Sequence, residues 1–143
     1  MLKNIKQQLS TISTLILGSL LFIASTTAFA NDDSKVFELR TYYTHPGKLD
    51  ALKTRFREHT NRIFANHGMQ IVGFWAPTDT PDSENTLIYI ISHASREQAK
   101  LNWQAFINDP QWQKVFADSR KDGPIVSKVD SVFMQSTDFS PIK

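Results

Sequence analysis

"FELRTYYTHPGKLDAL", residues 37–52, is the stretch that decides the fold of this chain. Its first half has the aromatic-rich composition of a β-strand, and Pro46 with Gly47 then forms a turn that opens a helix. Side chains two apart in a strand point to the same side, so Glu38 and Arg40 share one face. The stretch therefore predicts a strand, a tight turn and a helix, and it leaves a charged strand face whose role needs an explanation.

The first 30 residues have the order of a secretory signal peptide. Two lysines open the chain, the run "LILGSLLFIA" (residues 15–24) is apolar, and Ala28 and Ala30 occupy the small-residue positions of a cleavage site. The apolar run is well short of the roughly 20 residues that span a bilayer, which argues against a permanent anchor. We therefore expect cleavage after Ala30, export to a bacterial periplasm or to the medium, and no membrane contact by the mature protein.

The mature chain, residues 31–143, has a suitable length for one domain with one hydrophobic core. The whole sequence has 16 Lys and Arg against 14 Asp and Glu, and removing Lys3 and Lys6 leaves 14 of each. A formally neutral domain without a basic patch argues against nucleic-acid binding. The chain has no cysteine, which excludes disulfides, thiolate catalysis and cysteine metal sites.

Apolar periodicity divides the mature chain into strands and helices. One helix follows Gly47 and ends near Gly68, and a second begins at Ser95. The second helix is interrupted at "NDP", where Asp109 can cap a further helix with Pro110 at its first position. Strands are predicted at residues 36–43, 70–76, 87–93 and 125–136.

The resulting order is β-α-β-β-α-β. It most economically gives a four-stranded antiparallel sheet with both helices on one face, the ferredoxin-like α+β arrangement. The third strand is apolar on both faces, so the sheet face without helices would expose an apolar surface to which Phe74 or Trp75 contributes. Packing of two sheets is the simplest cover, and we therefore expect a homodimer, a dimeric α/β barrel, whose sheets enclose a cavity.

The dimer would explain the charged face of the first strand. The side chains expected to pack under the helices are Phe37, Leu39 and Tyr43. Glu38, Arg40 and Tyr42 would then lie on the face that the partner covers. Charges in a covered space are paired or hydrogen-bonded, and Glu38 and Arg40 can pair with each other. This face is therefore predicted to be the floor of a pocket.

Four stretches, "FELRTYYTHPGKLDAL", "FREHTNRIFANHG", "IVGFWAP" and "INDPQWQKV", together resemble the NIPSNAP family, within the dimeric α/β-barrel superfamily. They extend from about Phe37 to Val115 and so cover most of the mature chain. The resemblance implies the ferredoxin-like fold, dimerisation through the sheets and a small apolar cavity in each subunit. The superfamily includes cofactor-free monooxygenases, haem-binding enzymes, and dehydratases or isomerases of small organic molecules, so the resemblance implies a fold rather than one reaction.

His59 and His93 are the histidines that could serve a site. His59 lies three residues after Phe56 and four before Ile63, on or beside the apolar stripe of the first helix. It can be a core-edge histidine bonded to backbone, or a general base or haem ligand. His93 ends the third strand in phase with Tyr89, and periodicity leaves open which way that face points. No histidine pair has i,i+4 spacing and no carboxylate cluster accompanies the histidines, so no metal site is expected.

Two functions are compatible with these residues. In the first, a small apolar or aromatic molecule binds in the dimer cavity, Arg40 holds its anionic oxygen, and His59 transfers a proton. No cofactor is needed if the substrate forms a stabilised carbanion that isomerises or, in monooxygenase-type chemistry, reacts with oxygen. Residues expected to line that site are Glu38, Arg40, Tyr42, Phe74, Trp75, Tyr89 and His93.

In the second function, the protein is a non-catalytic periplasmic interaction module, and Glu38 and Arg40 form a structural ion pair across the dimer. Haem binding through His59 is a third alternative. No nucleophile motif or phosphate-binding glycine cluster is present, so neither covalent catalysis nor a nucleotide cofactor is expected.

Overall fold

The computed structural model describes residues 35–143, and the predicted signal peptide lies outside the described residues. The elements are, in chain order, β1 (Val36–Thr44), α1 (Leu49–Arg55), a π-helical turn (Phe56–Thr60), α2 (Asn61–Asn66), β2 (Gln70–Trp75), a 3₁₀ turn (Asp82–Glu84), β3 (Thr86–His93), α3 (Arg96–Asn108), α4 (Pro110–Asp118) and β4 (Val126–Met134). Within the described part of the chain, no helix is long and apolar enough to cross a membrane.

The helix ends form where the sequence predicts them. The Ser95 hydroxyl accepts a hydrogen bond from the backbone N–H of Gln98 at 3.0 Å and caps α3. Asp109 caps α4 in the same way, with Pro110 at its first position. Gly68, at φ 70°, follows the end of α2 in the left-handed conformation that glycine adopts readily. The predicted strand boundaries are confirmed to within two residues.

The four strands form one antiparallel sheet in the order β2-β3-β1-β4, so β1 is flanked by a strand on each side. A register shift between Ile71 and Gly73 marks a bulge in β2. Both helical segments contribute to the same core, on one face of the sheet. The predicted ferredoxin-like α+β fold with a four-stranded antiparallel sheet is therefore confirmed.

The hydrophobic core lies between the helices and the sheet face that carries Tyr89 and Ile91 of β3, both 0% exposed. Phe64 of α2 is at its centre, with ring centroids 4.8 Å from Phe106 and 5.5 Å from Trp103, both in edge-to-face geometry. Aromatic pairs prefer this geometry because the positive ring edge meets the negative ring face. Aromatic packing thus joins α2, α3 and the sheet.

The predicted orientation of β1 is wrong. Tyr42 packs edge-to-face on Phe56 of the π-helical turn, with ring centroids 5.7 Å apart, and Trp103 of α3 donates a hydrogen bond to Glu38. The face of β1 with Glu38, Arg40 and Tyr42 therefore lies under the helices. Strand alternation determines which side chains share a face, but it does not say which of the two faces the helices cover.

The opposite face of the sheet carries partly exposed apolar side chains. Trp75 of β2 is 50% exposed and Val132 of β4 is 53% exposed. Trp75 is paired with Ile88 and Val132 with Leu39, and both of these partners are half-buried. The sequence predicted an apolar sheet surface, and the structure shows which residues form it.

We predict that Phe64→Ala lowers the free energy of unfolding by about 3–5 kcal/mol, because Phe64 is 1% exposed and its removal leaves a cavity among aromatic rings. Leu101→Ala, at a position of α3 that is 55% exposed, is the control and changes it by less than about 0.5 kcal/mol. Urea denaturation of both variants measures the difference. Equal losses would contradict the described core.

Candidate functional site

The carboxylate of Glu38 accepts hydrogen bonds from four side chains although it is only 1% exposed. Arg40 Nη1 and Ser131 Oγ donate to its Oε1 at 2.7 and 2.6 Å. Trp103 Nε1 and His93 Nε2 approach its Oε2 at 2.7 and 3.3 Å. Because a carboxylate offers about four acceptor positions, these four donors occupy all of the acceptor positions of Glu38. The donors come from β1, β3, β4 and α3, so Glu38 joins four elements.

The hydrogen bonds around His93 assign its tautomer. Asn102 Nδ2 donates to the Gly68 carbonyl at 3.3 Å and lies 3.3 Å from His93 Nδ1, while Gln98 donates to Asn102 Oδ1 at 2.8 Å. Because the Gly68 carbonyl can only accept, the amide nitrogen of Asn102 points to it and also donates to His93 Nδ1. The proton of His93 is then on Nε2, which donates to Glu38.

Glu38 is ionised in this environment. Burial raises its pKa, but the hydrogen bonds from His93, Ser131 and Trp103 and the charge of Arg40 outweigh burial and lower the pKa from 4.5 to about 2. A general base needs an acceptor position within reach of the proton that it removes. With its acceptor positions occupied, Glu38 acts as a structural anchor rather than a base.

Arg40 is held by Glu38 and by two rings. Its guanidinium lies 4.3 Å from the ring centroid of Trp103 and 5.5 Å from that of Tyr42. Burial lowers the pKa of Arg40, but Tyr42, Tyr89 and Glu38 together raise it above its ordinary value. Its Nε makes no hydrogen bond within residues 35–143. The charge of Arg40 is nevertheless already balanced by Glu38, at 2.7 Å.

A cleft opens between α1, the π-helical turn, α4 and the start of β4. Its volume is about 560 Å³, and it is lined by Ala51, Thr54, Arg55, His59, Lys114, Val115, Asp118, Ser119 and Ile125. An adjoining cavity of about 240 Å³ is lined by Tyr42, Arg55, Trp112, Phe116, Arg120, Ile125, Val126 and Val129. Arg55 and Ile125 line both cavities, which we call together the Arg55 cleft. These volumes are within the usual range for small-molecule sites or just below it.

Arg55 is 5% exposed and lies where the two cavities of the cleft meet. Its guanidinium is 5.4 Å from the ring centroid of Trp112 and 5.7 Å from that of Phe116, and its Nη1 donates to Ser119 Oγ at 3.3 Å. Its Nε makes no hydrogen bond within the described residues, and no carboxylate among them pairs with it. Burial lowers the pKa of Arg55.

A π-helical turn follows Arg55 and changes the direction of the side chains after it. The backbone N–H of Asn61 bonds to the Phe56 carbonyl, five residues back, and Thr60 Oγ1 donates to the Arg55 carbonyl at 3.1 Å. Arg55 and Phe56, three and four residues after Leu52, are both buried, whereas His59 within the turn is exposed. Short π-helical turns are frequent at functional sites. Arg55 was not among the predicted site residues, although its position three residues after Leu52 indicates that it can share the apolar stripe.

The remaining predicted site residues separate into four places. Phe74 and Tyr89 belong to the core, with ring centroids 5.3 Å apart, and Trp75 is on the opposite face of the sheet. Burial raises the pKa of Tyr89 well above its ordinary value, and its hydroxyl makes no hydrogen bond within residues 35–143. His93 belongs to the Glu38 network, and His59 lines the Arg55 cleft. The structure therefore does not bring the predicted set together at one site.

Metal ligands are not clustered in the described part of the chain. Among residues 35–143, no group of three or more His, Cys, Asp or Glu side chains could hold a metal ion.

We predict that Glu38→Gln lowers the free energy of unfolding at pH 7 by about 3–5 kcal/mol, because it leaves buried donors and the Arg40 charge without their carboxylate. The folded-state pKa of about 2 lies below 4.5, so ionised Glu38 stabilises the fold fully above about pH 4.5 and this stabilisation is lost as the pH falls toward 2. In the wild type, this pH-dependent contribution of Glu38 to the free energy of unfolding amounts to roughly 3 kcal/mol. Urea denaturation at pH values from 2 to 7 measures it.

The exposed Glu97 of α3 provides the matched control. Glu97→Gln should retain the wild-type pH dependence, whereas Glu38→Gln should lose the part between about pH 4.5 and 2. If the two variants behave alike, the account of Glu38 is incorrect.

The fold is similar to several solved structures. A NIPSNAP-like domain protein from Burkholderia xenovorans has a TM-score of 0.66 and 16% identity, over 76% of this chain and 90% of that chain. A NIPSNAP family protein from Agrobacterium tumefaciens has a TM-score of 0.66 and 18% identity, over 78% of this chain and 96% of that one. A second protein of that family from the same organism has a TM-score of 0.66 and 21% identity, over 76% and 99%. At these identities the likeness shows the fold alone.

A comparison with curated protein sequences found no match. The sequence model of the NIPSNAP family matches residues 37–141, which include every strand and helix of the structure from Phe37 onwards. This chain therefore belongs to the NIPSNAP family.

Proposed function

We propose that this protein binds a small apolar or aromatic molecule in the Arg55 cleft, within a single subunit. The observation that supports this most directly is a buried arginine that lines two cavities, one of which has the aromatic walls Tyr42, Trp112 and Phe116. Small-molecule sites typically combine apolar walls with a few placed polar groups. The ligand is assigned to this cleft rather than to a dimer cavity because the Glu38 face of β1 lies under the helices.

His59 is the residue that we assign to proton transfer. It lines the Arg55 cleft from the π-helical turn and is exposed there, so a bound molecule can reach its imidazole. Imidazole is the side chain best suited to acid-base work near neutral pH. In a cofactor-free isomerisation, His59 removes a proton from one carbon and the electron pair remains on the substrate as an enolate. The protonated His59 then returns the proton to another carbon of the enolate. We assign Arg40 an indirect role in this site, because it contacts the ring of Tyr42, which forms part of the cleft wall.

A second candidate function is a non-catalytic interaction module. The observation that favours it is the Glu38 network, in which the buried carboxylate, Arg40 and His93 are committed to one another rather than to a substrate. The two functions differ in whether the Arg55 cleft carries a molecule.

We also propose that the protein is exported and works as a homodimer. The order of residues 1–30, with basic, apolar and small-residue segments, supports export. The exposed Trp75 and Val132, next to the half-buried Leu39 and Ile88, support packing of two sheets against each other.

Native mass spectrometry of the protein purified gently from the periplasm tests the function. We expect the purified species to carry extra mass of a few hundred daltons, because a molecule bound in the cleft should survive gentle purification. A mass that matches haem, with loss of the Soret band in His59→Ala, would establish the haem alternative instead. Protein without bound mass would favour the interaction module.

Two tryptophan variants locate the retained molecule. Ala51→Trp fills the Arg55 cleft from α1, and Ala105→Trp places the same side chain on the exposed surface of α3. The extra mass should be lost in Ala51→Trp and kept in Ala105→Trp. Retention by both variants would show that the molecule binds elsewhere.

We predict that Val132→Asp raises the dimer dissociation constant at least about 100-fold, because a charge without a partner would be buried between the sheets. Ile107→Asp, at an exposed position of α3, is the control and leaves the dimer unchanged. Light scattering after size-exclusion chromatography measures the mass of each variant over a dilution series. A dimer equally stable in both variants would exclude this sheet face as the interface.

A further inference from the structure

We infer that the ligand of the Arg55 cleft is a small aromatic carboxylate whose anionic group binds the guanidinium of Arg55. This inference rests on the proposed function and adds the charge class of the ligand. It depends on three observations, which are the missing counter-charge of Arg55, the charge of the cleft lining and the rings beside the guanidinium.

Arg55 is a buried cation without a counter-charge. It is 5% exposed, no carboxylate within residues 35–143 pairs with it, and its Nε has no hydrogen-bond partner among them. A guanidinium stays protonated in proteins, so it cannot escape burial by losing its charge. Buried charges are normally paired, because an unpaired one loses its hydration without compensation. An anion that enters the cleft would supply the missing partner.

Arg40 shows the difference that pairing makes. It also has an unpartnered Nε and also lies beside aromatic rings, but its Nη1 is 2.7 Å from the carboxylate of Glu38. The two arginines therefore differ mainly in their counter-charge. A ligand anion near Arg40 would have to compete with Glu38, whereas one near Arg55 would have no competing carboxylate.

The other charges of the cleft also favour an anion. Its lining contains the cations Arg55, Lys114 and Arg120 and the carboxylate of Asp118. Asp118 forms ion pairs with Lys114 and with Lys121, at 2.9 Å in the second case, and so is not available to Arg55. An excess of positive charge in a cleft raises the local concentration of anions.

The side chains around Arg55 favour a planar ligand. The rings of Trp112 and Phe116 are 5.5 Å apart, and Arg55 lies within 6 Å of both. Tyr42 contributes a further ring to the wall of the adjoining cavity, which at about 240 Å³ admits only a small molecule. A carboxylate matches the planar guanidinium, and an attached aromatic ring can stack on these walls.

Isothermal titration calorimetry with 2-naphthoate and its neutral isostere 2-naphthamide tests this inference on the mature protein. The wild type should bind 2-naphthoate about 10- to 100-fold more tightly than 2-naphthamide, which is the range expected for a hydrogen bond to a charged group. Arg55→Met should remove this preference. Arg62→Met, which replaces an exposed arginine bonded to Gln111 outside the cleft, should retain it.

If Arg55→Met does not fold, Arg55→Lys serves as the second test variant. It keeps the charge but removes the Nε–H, so it should weaken 2-naphthoate binding and leave 2-naphthamide binding unchanged.

Equal binding of the two probes by the wild type would overturn the anionic ligand class while leaving the cleft as a binding site. A preference that survives in Arg55→Met would overturn the role of Arg55. If neither probe binds, the aromatic carboxylate class is wrong, even where native mass spectrometry shows a retained molecule.

Discussion

A carboxylate buried inside a protein must be met by hydrogen-bond donors, and this requirement organises the molecule around Glu38. Its four donors come from three strands and from α3, so the charge is stable only when the sheet and that helix are assembled. Trp103 both donates to Glu38 and packs on Phe64 of the core, at 5.5 Å. The polar network and the aromatic core therefore form together.

The same constraint determines which groups are left for function. Glu38 fully engages its acceptor positions and balances Arg40, so neither side chain is free for a ligand. Arg55, the last residue of α1, also lies beside aromatic rings, but no carboxylate among the described residues pairs with it. The functional role that the sequence suggested for Arg40 is thus better supported for Arg55. An unpaired buried cation lowers stability.

The fold was predictable because each signal was local. Ser95, Asp109 and the glycine at position 68 define helix ends through their own chemistry, and the family motifs agree with the order of elements. The face of β1 was not predictable, because the alternation of Glu38 and Leu39 is equally compatible with either orientation.

The candidate site was predictable only in part, and the π-helical turn is one reason. Periodicity reasoning assumes 3.6 residues per turn, and a wider turn shifts every later side chain around the helix axis. His59 was expected on or beside the apolar stripe and is exposed, whereas Arg55, which precedes the turn, shares the stripe of Leu52 and is buried. The positive charge of the cleft was also not predictable from the neutral composition, because net charge does not determine which charged side chains are neighbours in the fold.

A crystal structure of the mature protein with 2-naphthoate tests the central claim most directly, since it shows which arginine a ligand anion selects. The account predicts the carboxylate at hydrogen-bond distance from the Arg55 guanidinium, the ring against Trp112 and Phe116, and Arg40 still bonded to Glu38. A carboxylate bound to Arg40 with the Glu38 ion pair broken, or a ligand held between the two sheets of a dimer, would contradict it.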